Sequence, residues 1–296
     1  MQHPTFKATC RGLLAAVALA TAAPMSGCGS DSDEPDEVAR PATVTLTDAD
    51  PATGAYLIEA GGSVSSGAVR ISVRNRGTKE RGAQLVRVEG EHDVADAFAA
   101  LNDVREGKPM PGWLRWAGGL GVVRPGASAT FTVDLQPGRY YAIDRSFEGK
   151  PAELAALGER ARLEVRQVGE AAPLTAPAAA ITATEYTFRT RGLAASNGEV
   201  LLDNRGKQPH DFVLSPIVEG RTLEDVKAFA TGEDESGPPP VDFENEVVSG
   251  VLEGATRQTM RLGLKAGRYA LICFTSDRGG GPPHVARGMV TEVTVR

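Results

Sequence analysis

Apolar and polar positions alternate with a period of two in many short runs. Val69, Ile71 and Val73 make one such run, and Phe131, Val133 and Leu135 another, ahead of a turn at Gly138. Residues 184–189 and 258–264 repeat the pattern, and residues 289–295 (MVTEVTV) alternate again. Residues 269–274 (YALICF) are apolar throughout. Alternation puts successive side chains on opposite faces of a strand, and an unbroken apolar run suits a strand buried on both faces. Two stretches follow a helical period instead, residues 94–101 and 223–229. Thr222 precedes the second, with Asp225 three positions on, the reciprocal pair that closes a helix N-terminus. Short strands between glycine-rich turns, with one helical insertion in each half, predict an all-β fold of two tandem Greek-key β-sandwiches. With aromatic residues at 5%, the cores depend on Val, Leu and Ala.

The two halves repeat each other. Asn75-Arg76-Gly77 recurs as Asn204-Arg205-Gly206, and Pro137-Gly138-Arg139-Tyr140 as Ala266-Gly267-Arg268-Tyr269, both 129 positions later. Gly126-Ala127 recurs as Gly254-Ala255 at 128 positions. A constant offset over a whole domain length signals duplicated units. The predicted organisation is a signal segment over residues 1–27, an acidic tether over 28–40, a first sandwich over 41–168, a linker over 169–180 (GEAAPLTAPAAA) and a second sandwich over 181–296.

At the start of the chain, Lys7 and Arg11 precede an apolar stretch over residues 13–23 that is too short to cross a bilayer. It ends in Met25-Ser26-Gly27-Cys28, which resembles the bacterial lipobox; the resemblance implies cleavage before Cys28 and acylation of its thiol. Acyl chains contribute roughly 0.8 kcal/mol per buried CH₂, so a multiply acylated Cys28 implies a membrane-anchored lipoprotein of the cell envelope. Loss of Lys7 and Arg11 takes the formal charge from −6 to −8. Such a chain has no electrostatic attraction to nucleic acid. Residues 30–37 (SDSDEPDE) are acidic and poor in apolar groups, which suits a solvated tether.

Of three cysteines, Cys10 and Cys28 lie in the leading segment. Cys273 is then unpaired in an oxidising compartment, where burial or a metal must protect it. Beyond it come His284 and Met289, on one strand–loop–strand unit, and His210 follows the Asn204-Arg205-Gly206 turn. A thiolate with two imidazoles and a weak axial thioether is a blue-copper donor set.

The order His210…Cys273…His284…Met289 resembles the cupredoxin (blue copper) pattern, over residues 180–296. The resemblance implies one type 1 copper ion, with His210, Cys273 and His284 equatorial and Met289 axial, and electron exchange with a redox partner protein. Ten residues separate Cys273 from His284, more than plastocyanin- or azurin-like proteins use, so the loop with Gly279, Gly280, Gly281, Pro282 and Pro283 must fold back to deliver the histidine. Aligned by the repeat, the first half has Arg81 at the place of His210, Asp144 at that of Cys273, Glu159 at that of Met289 and Leu154 near that of His284. It lacks every ligand, and Arg81 is expected to reach Asp144, Glu159 or both.

The expected activity is not enzymatic. Outside the leading segment there are only His92, His210 and His284, and a type 1 site uses two of them, which leaves too few imidazoles for a catalytic copper centre. His92 stands at a helix start, where a surface or capping role is expected. There is no G-x-S-x-G nucleophile motif and no phosphate-binding glycine loop. Two other readings remain open at this level: a copper-free scaffold lipoprotein that keeps the fold, and a copper(I) carrier using Cys273 and Met289.

Overall fold

The computed structural model describes residues 42–50, 55–144, 158–167, 169, 171–194, 198–234 and 236–296. The signal segment, Cys28, the acidic tether and Leu154 lie outside the described residues. The first half contributes β1 (Ala42–Asp50), β2 (Ala55–Ala60), β3 (Ser63–Ser65), β4 (Gly67–Asn75), β5 (Arg81–Val88), α1 (Val94–Arg105), β6 (Leu114–Val123), β7 (Ser128–Leu135), β8 (Gly138–Ile143) and β9 (Arg162–Arg166). The second half contributes β10 (Ala179–Thr184), β11 (Thr187–Arg191), β12 (Glu199–Asn204), β13 (Val213–Pro216), α2 (Leu223–Thr231), β14 (Val247–Val248), β15 (Arg257–Arg261), β16 (Gly267–Ile272) and β17 (Val290–Val295). The fold is all-β, and among the described residues each half carries one α-helix, as expected.

The sequence repeat is a structural repeat. Gln84 pairs with Ile143 across β5 and β8, and 129 positions on Val213 pairs with Ile272 across β13 and β16. Likewise Ile71 faces Phe131, and Val200 faces Met260. The Asn75 and Asn204 side chains do the same work: each Oδ1 accepts the N–H two residues on, and each Nδ2 donates to carbonyls of a distant segment. Both helices start with a reciprocal cap, Asp93 with Asp96 and Thr222 with Asp225.

The sheets are mixed: β1 runs parallel to β4, β10 to β12 and β3 to β9. One expectation needs correction. The alternating run 184–189 is two strands, because Glu185 takes a positive φ of 26° and turns β10 into β11.

The halves are joined edge to edge. Strands β7 and β15, equivalent under the repeat, pair antiparallel through Thr132 and Thr259, giving one eight-stranded sheet in the order β11-β10-β12-β15-β7-β4-β1-β2. A four-stranded sheet, β14-β13-β16-β17, covers the second half, and a five-stranded sheet, β3-β9-β8-β5-β6, the first. One buried cluster fills the space between layers and includes Phe131, Ile181, Leu202, Phe212, Leu252, Cys273 and Met289.

The seam is also stitched by two buried glutamines. Gln84 Nε2 donates to Val251 O at 3.1 Å and its Oε1 accepts from Val251 N at 2.6 Å. Gln258 Oε1 accepts from Gly119 N at 2.8 Å and its Nε2 donates to Gly119 O at 2.9 Å. The approach requires glycine: a Cβ on Gly250 would lie 2.5 Å from Gly119 N and 2.7 Å from Gly118 C across the seam. This seam fixes residues 249–252, which in turn position the site.

Candidate metal centre

The strand that begins at Gly267 delivers Cys273 one residue past its end, fully buried. Met289 lies one residue before β17, and its carbonyl accepts from Cys273 N at 3.2 Å. His210 is held by two backbone bonds to Leu252, with N–H donating at 3.0 Å and O accepting at 2.8 Å. Asn204 Nδ2 donates to Gln208 O and Leu252 O, which locks the turn leading to His210. Gly206 allows close packing there, since a Cβ would meet Glu185 N at 2.9 Å and His210 Nε2 at 3.4 Å.

The long loop does fold back. Ser276 bridges Pro283, and Gly280 N donates to Asp277 O at 2.9 Å. His284 N then donates to Thr275 O, and Val285 N to Cys273 O, both at 2.9 Å. His284 therefore starts a 3-10 turn over His284–Arg287 whose first two residues are buried, and Met289 N donates back to His284 O. Asp211 adds a clamp beside His210, its Oδ1 accepting from Phe274 N at 2.8 Å.

The result is a triangle of donor atoms. Cys273 Sγ lies 3.6 Å from His210 Nδ1 and 3.4 Å from His284 Nδ1, and the two Nδ1 atoms are 3.0 Å apart. A circle through three points with these separations has a radius of about 1.9 Å, so an ion near its centre would meet nitrogen and sulfur close to their usual bond lengths of roughly 2.0–2.3 Å. The set fits a metal ion, and both histidines and the cysteine are buried. Met289 is 1% exposed and shares a core cluster with Cys273. Two imidazoles and a thiol gathered in the core, with a thioether nearby, resemble a type 1 copper site.

Burial dominates the local acid–base balance. It holds His210 down to about 4, helped by neighbouring His284, and it lowers His284 against the opposing hydrogen bond that His284 donates to Asp277. It also pushes the Cys273 thiol well up, with Asp211 adding to the effect. Both imidazoles are thus neutral and the thiol protonated near neutral pH, so binding a cation displaces a proton from Cys273.

The first half shows what replaces this centre. Arg81 Nη1 lies 3.2 Å from Asp144 Oδ2, with side chains 8% and 2% exposed. Gly82 N also donates to Asp144 Oδ1 at 3.3 Å. Glu159 is not part of the pair; it is exposed and accepts from the Tyr141 hydroxyl at 3.4 Å. His92 stacks on Trp113 with ring centres 4.0 Å apart and meets Asp96 at 3.2 Å, a surface role as expected.

Several contributors escaped the sequence reading. His284 Nε2 lies 3.1 Å from Asp277 Oδ1, and Asp277 is held by Tyr186 and Arg287. Arg278 binds Glu253 and donates to Pro111 O and Leu114 O, tying the ligand loop to the first half. An acid inside the ligand loop was visible in the sequence; its partners, up to 91 positions away, were not.

No family model matches the chain, and no curated protein matches it. Among solved structures, it is similar to a dithionite-reduced auracyanin from the photosynthetic bacterium Roseiflexus castenholzii, at 21% identity, over 40% of this chain and 94% of that one, with TM-score 0.27. It is similar to auracyanin B at 23% identity, over 40% and 86%, with TM-score 0.26. It is similar to a multicopper oxidase at 15% identity, over 86% and 88%, with TM-score 0.20.

Proposed function

We propose that the chain is an extracytoplasmic lipoprotein that holds one copper ion between His210, Cys273, His284 and Met289 and carries single electrons to or from a redox partner. The observation that carries the reading is the convergence of Cys273 Sγ and two Nδ1 atoms within 3.0–3.6 Å inside the core. Copper bound there supplies a one-electron couple. The protein's part is to keep the donors in place: Leu252 fixes His210, Thr275 fixes His284, and β16 and β17 fix Cys273 and Met289. Donors already gathered need little movement when the charge at the site changes, which favours fast exchange. The surrounding apolar shell excludes water and thereby tunes the potential.

A carrier is favoured over an oxidase because His92, the other imidazole among the described residues, is engaged with Trp113 and Asp96 on the surface. Membrane attachment rests on Met25 to Cys28 alone; among the described residues, no helix is long and apolar enough to cross a membrane. The test is redox cycling of the copper-loaded protein. Ascorbate should bleach the visible colour and ferricyanide restore it repeatedly, with no dioxygen consumed. Steady dioxygen consumption would replace the carrier reading with an oxidase.

A further inference from the structure

His284 is held at both ends of its ring. Nδ1 faces Cys273 and His210, while Nε2 meets Asp277 Oδ1 at 3.1 Å with the imidazole fully buried. Asp277 is 16% exposed and is itself fixed: the Tyr186 hydroxyl donates to its two oxygens at 3.2 and 3.0 Å, and Arg287 Nη2 lies 3.1 Å from Oδ2. Tyr186 also presses edge-on against His284, ring centres 5.2 Å apart, and Arg287 Nη1 donates to the Tyr186 hydroxyl at 2.9 Å. The next residue, Arg278, is anchored by Glu253 and by the carbonyls of Pro111 and Leu114, and its own carbonyl accepts from Met110 N. The carboxylate therefore has little freedom to leave His284. Among the described residues His210 has no such partner: its buried Nε2 makes no hydrogen bond with them. Of the two imidazoles in the donor set, His284 is thus the one held directly by a carboxylate.

The geometry points to Asp277 as a positioning residue that keeps the His284 proton on Nε2, turns the Nδ1 lone pair toward Cys273, and biases the centre toward copper(II). A carboxylate accepting from the far nitrogen fixes the tautomer and makes the imidazole a stronger donor. A stronger donor stabilises the higher charge more than the lower one. Because this rests on the copper reading, the test has one arm that needs no metal.

In the metal-free protein, nitrogen NMR of the His284 ring should show the proton on Nε2. In Asp277→Ala the proton should appear in part on Nδ1, where His210 Nδ1 at 3.0 Å can accept it. In the copper-loaded protein, Asp277→Asn should lower copper(II) affinity relative to copper(I) by roughly tenfold, which corresponds to a rise of about 59 mV in a one-electron couple. Tyr186→Phe removes a donor that competes with His284 for Asp277, so its potential should stay level or fall. A potential that rises in Tyr186→Phe as in Asp277→Asn would assign the effect to loosened packing and overturn the proposal. An unchanged tautomer in metal-free Asp277→Ala would overturn it as well. Failure of the wild-type protein to take copper would end the electron-carrier reading, while the NMR arm would still decide whether Asp277 sets the tautomer.

Discussion

Removing Arg81 should destabilise the protein by about 3 kcal/mol, because it leaves Asp144 buried without its guanidinium. Breaking one side of a buried pair generally costs roughly 3–5 kcal/mol. The lower end applies because Asp144 keeps a bond from Gly82 N. A solvated pair would lose less than about 1 kcal/mol, but exposures of 8% and 2% place this one inside the protein. The assay is urea unfolding of Arg81→Ala in metal-free form, where a urea dependence of about 3 kcal/mol per molar places the midpoint about 1 M lower. The double variant Arg81→Met/Asp144→Leu should recover most of the loss, since apolar groups of similar size can replace a buried pair at little cost. A loss below about 1 kcal/mol in the single variant would refute the claim that the pair is desolvated. A double variant as unstable as the single one would show that the cost is packing rather than a stranded charge.

Other outcomes follow from the same structure. His210 is held at about 4 in the folded state against 6.5 unfolded, so the unfolded chain binds the extra proton; stability of the metal-free protein should fall as pH drops from about 6.5 toward 4, by at most about 3 kcal/mol. The pH dependence of the urea midpoint should flatten in His210→Asn, and equal slopes in both proteins would contradict the assignment. Gly119→Ala should cost roughly 3 kcal/mol or more, because its positive φ and the carbonyl of Ala83 leave no room for a methyl group; a midpoint within error of wild type would disprove the close approach of β6 to β5. The protein should partition into detergent, and Cys28→Ser should release it or strand it as precursor; unchanged fractionation would rule out the lipid anchor.

What the sequence made legible was what it repeats. The offset of 129 carried the pairing of Gln84 with Ile143 onto that of Val213 with Ile272, and it placed Arg81 and Asp144 where His210 and Cys273 stand. The Arg81–Asp144 contact could be expected for that reason. Strand neighbours were not legible, because alternation records which face a side chain occupies and not which strand lies beside it. The parallel pairing of β1 with β4 and of β10 with β12 therefore came only from the structure. The break at Glu185 was hidden because Thr184 to Arg189 still alternates across the turn. Of the donor set, His210, Cys273 and Met289 could be tied to strands or turns, whereas His284 depended on the Ser276–Pro283 bridge and on backbone bonds to Thr275 and Cys273. Asp277 and Tyr186 meet across 91 positions, which no local pattern encodes.

The central claim is that His210, Cys273, His284 and Met289 form a copper site, and a copper(II) titration followed by visible absorption tests it most directly. One equivalent should produce an intense band that saturates, is absent in Cys273→Ser and is shifted but retained in Met289→Leu. No band, or a band of equal strength in Cys273→Ser, would contradict the site and leave the fold as a copper-free scaffold.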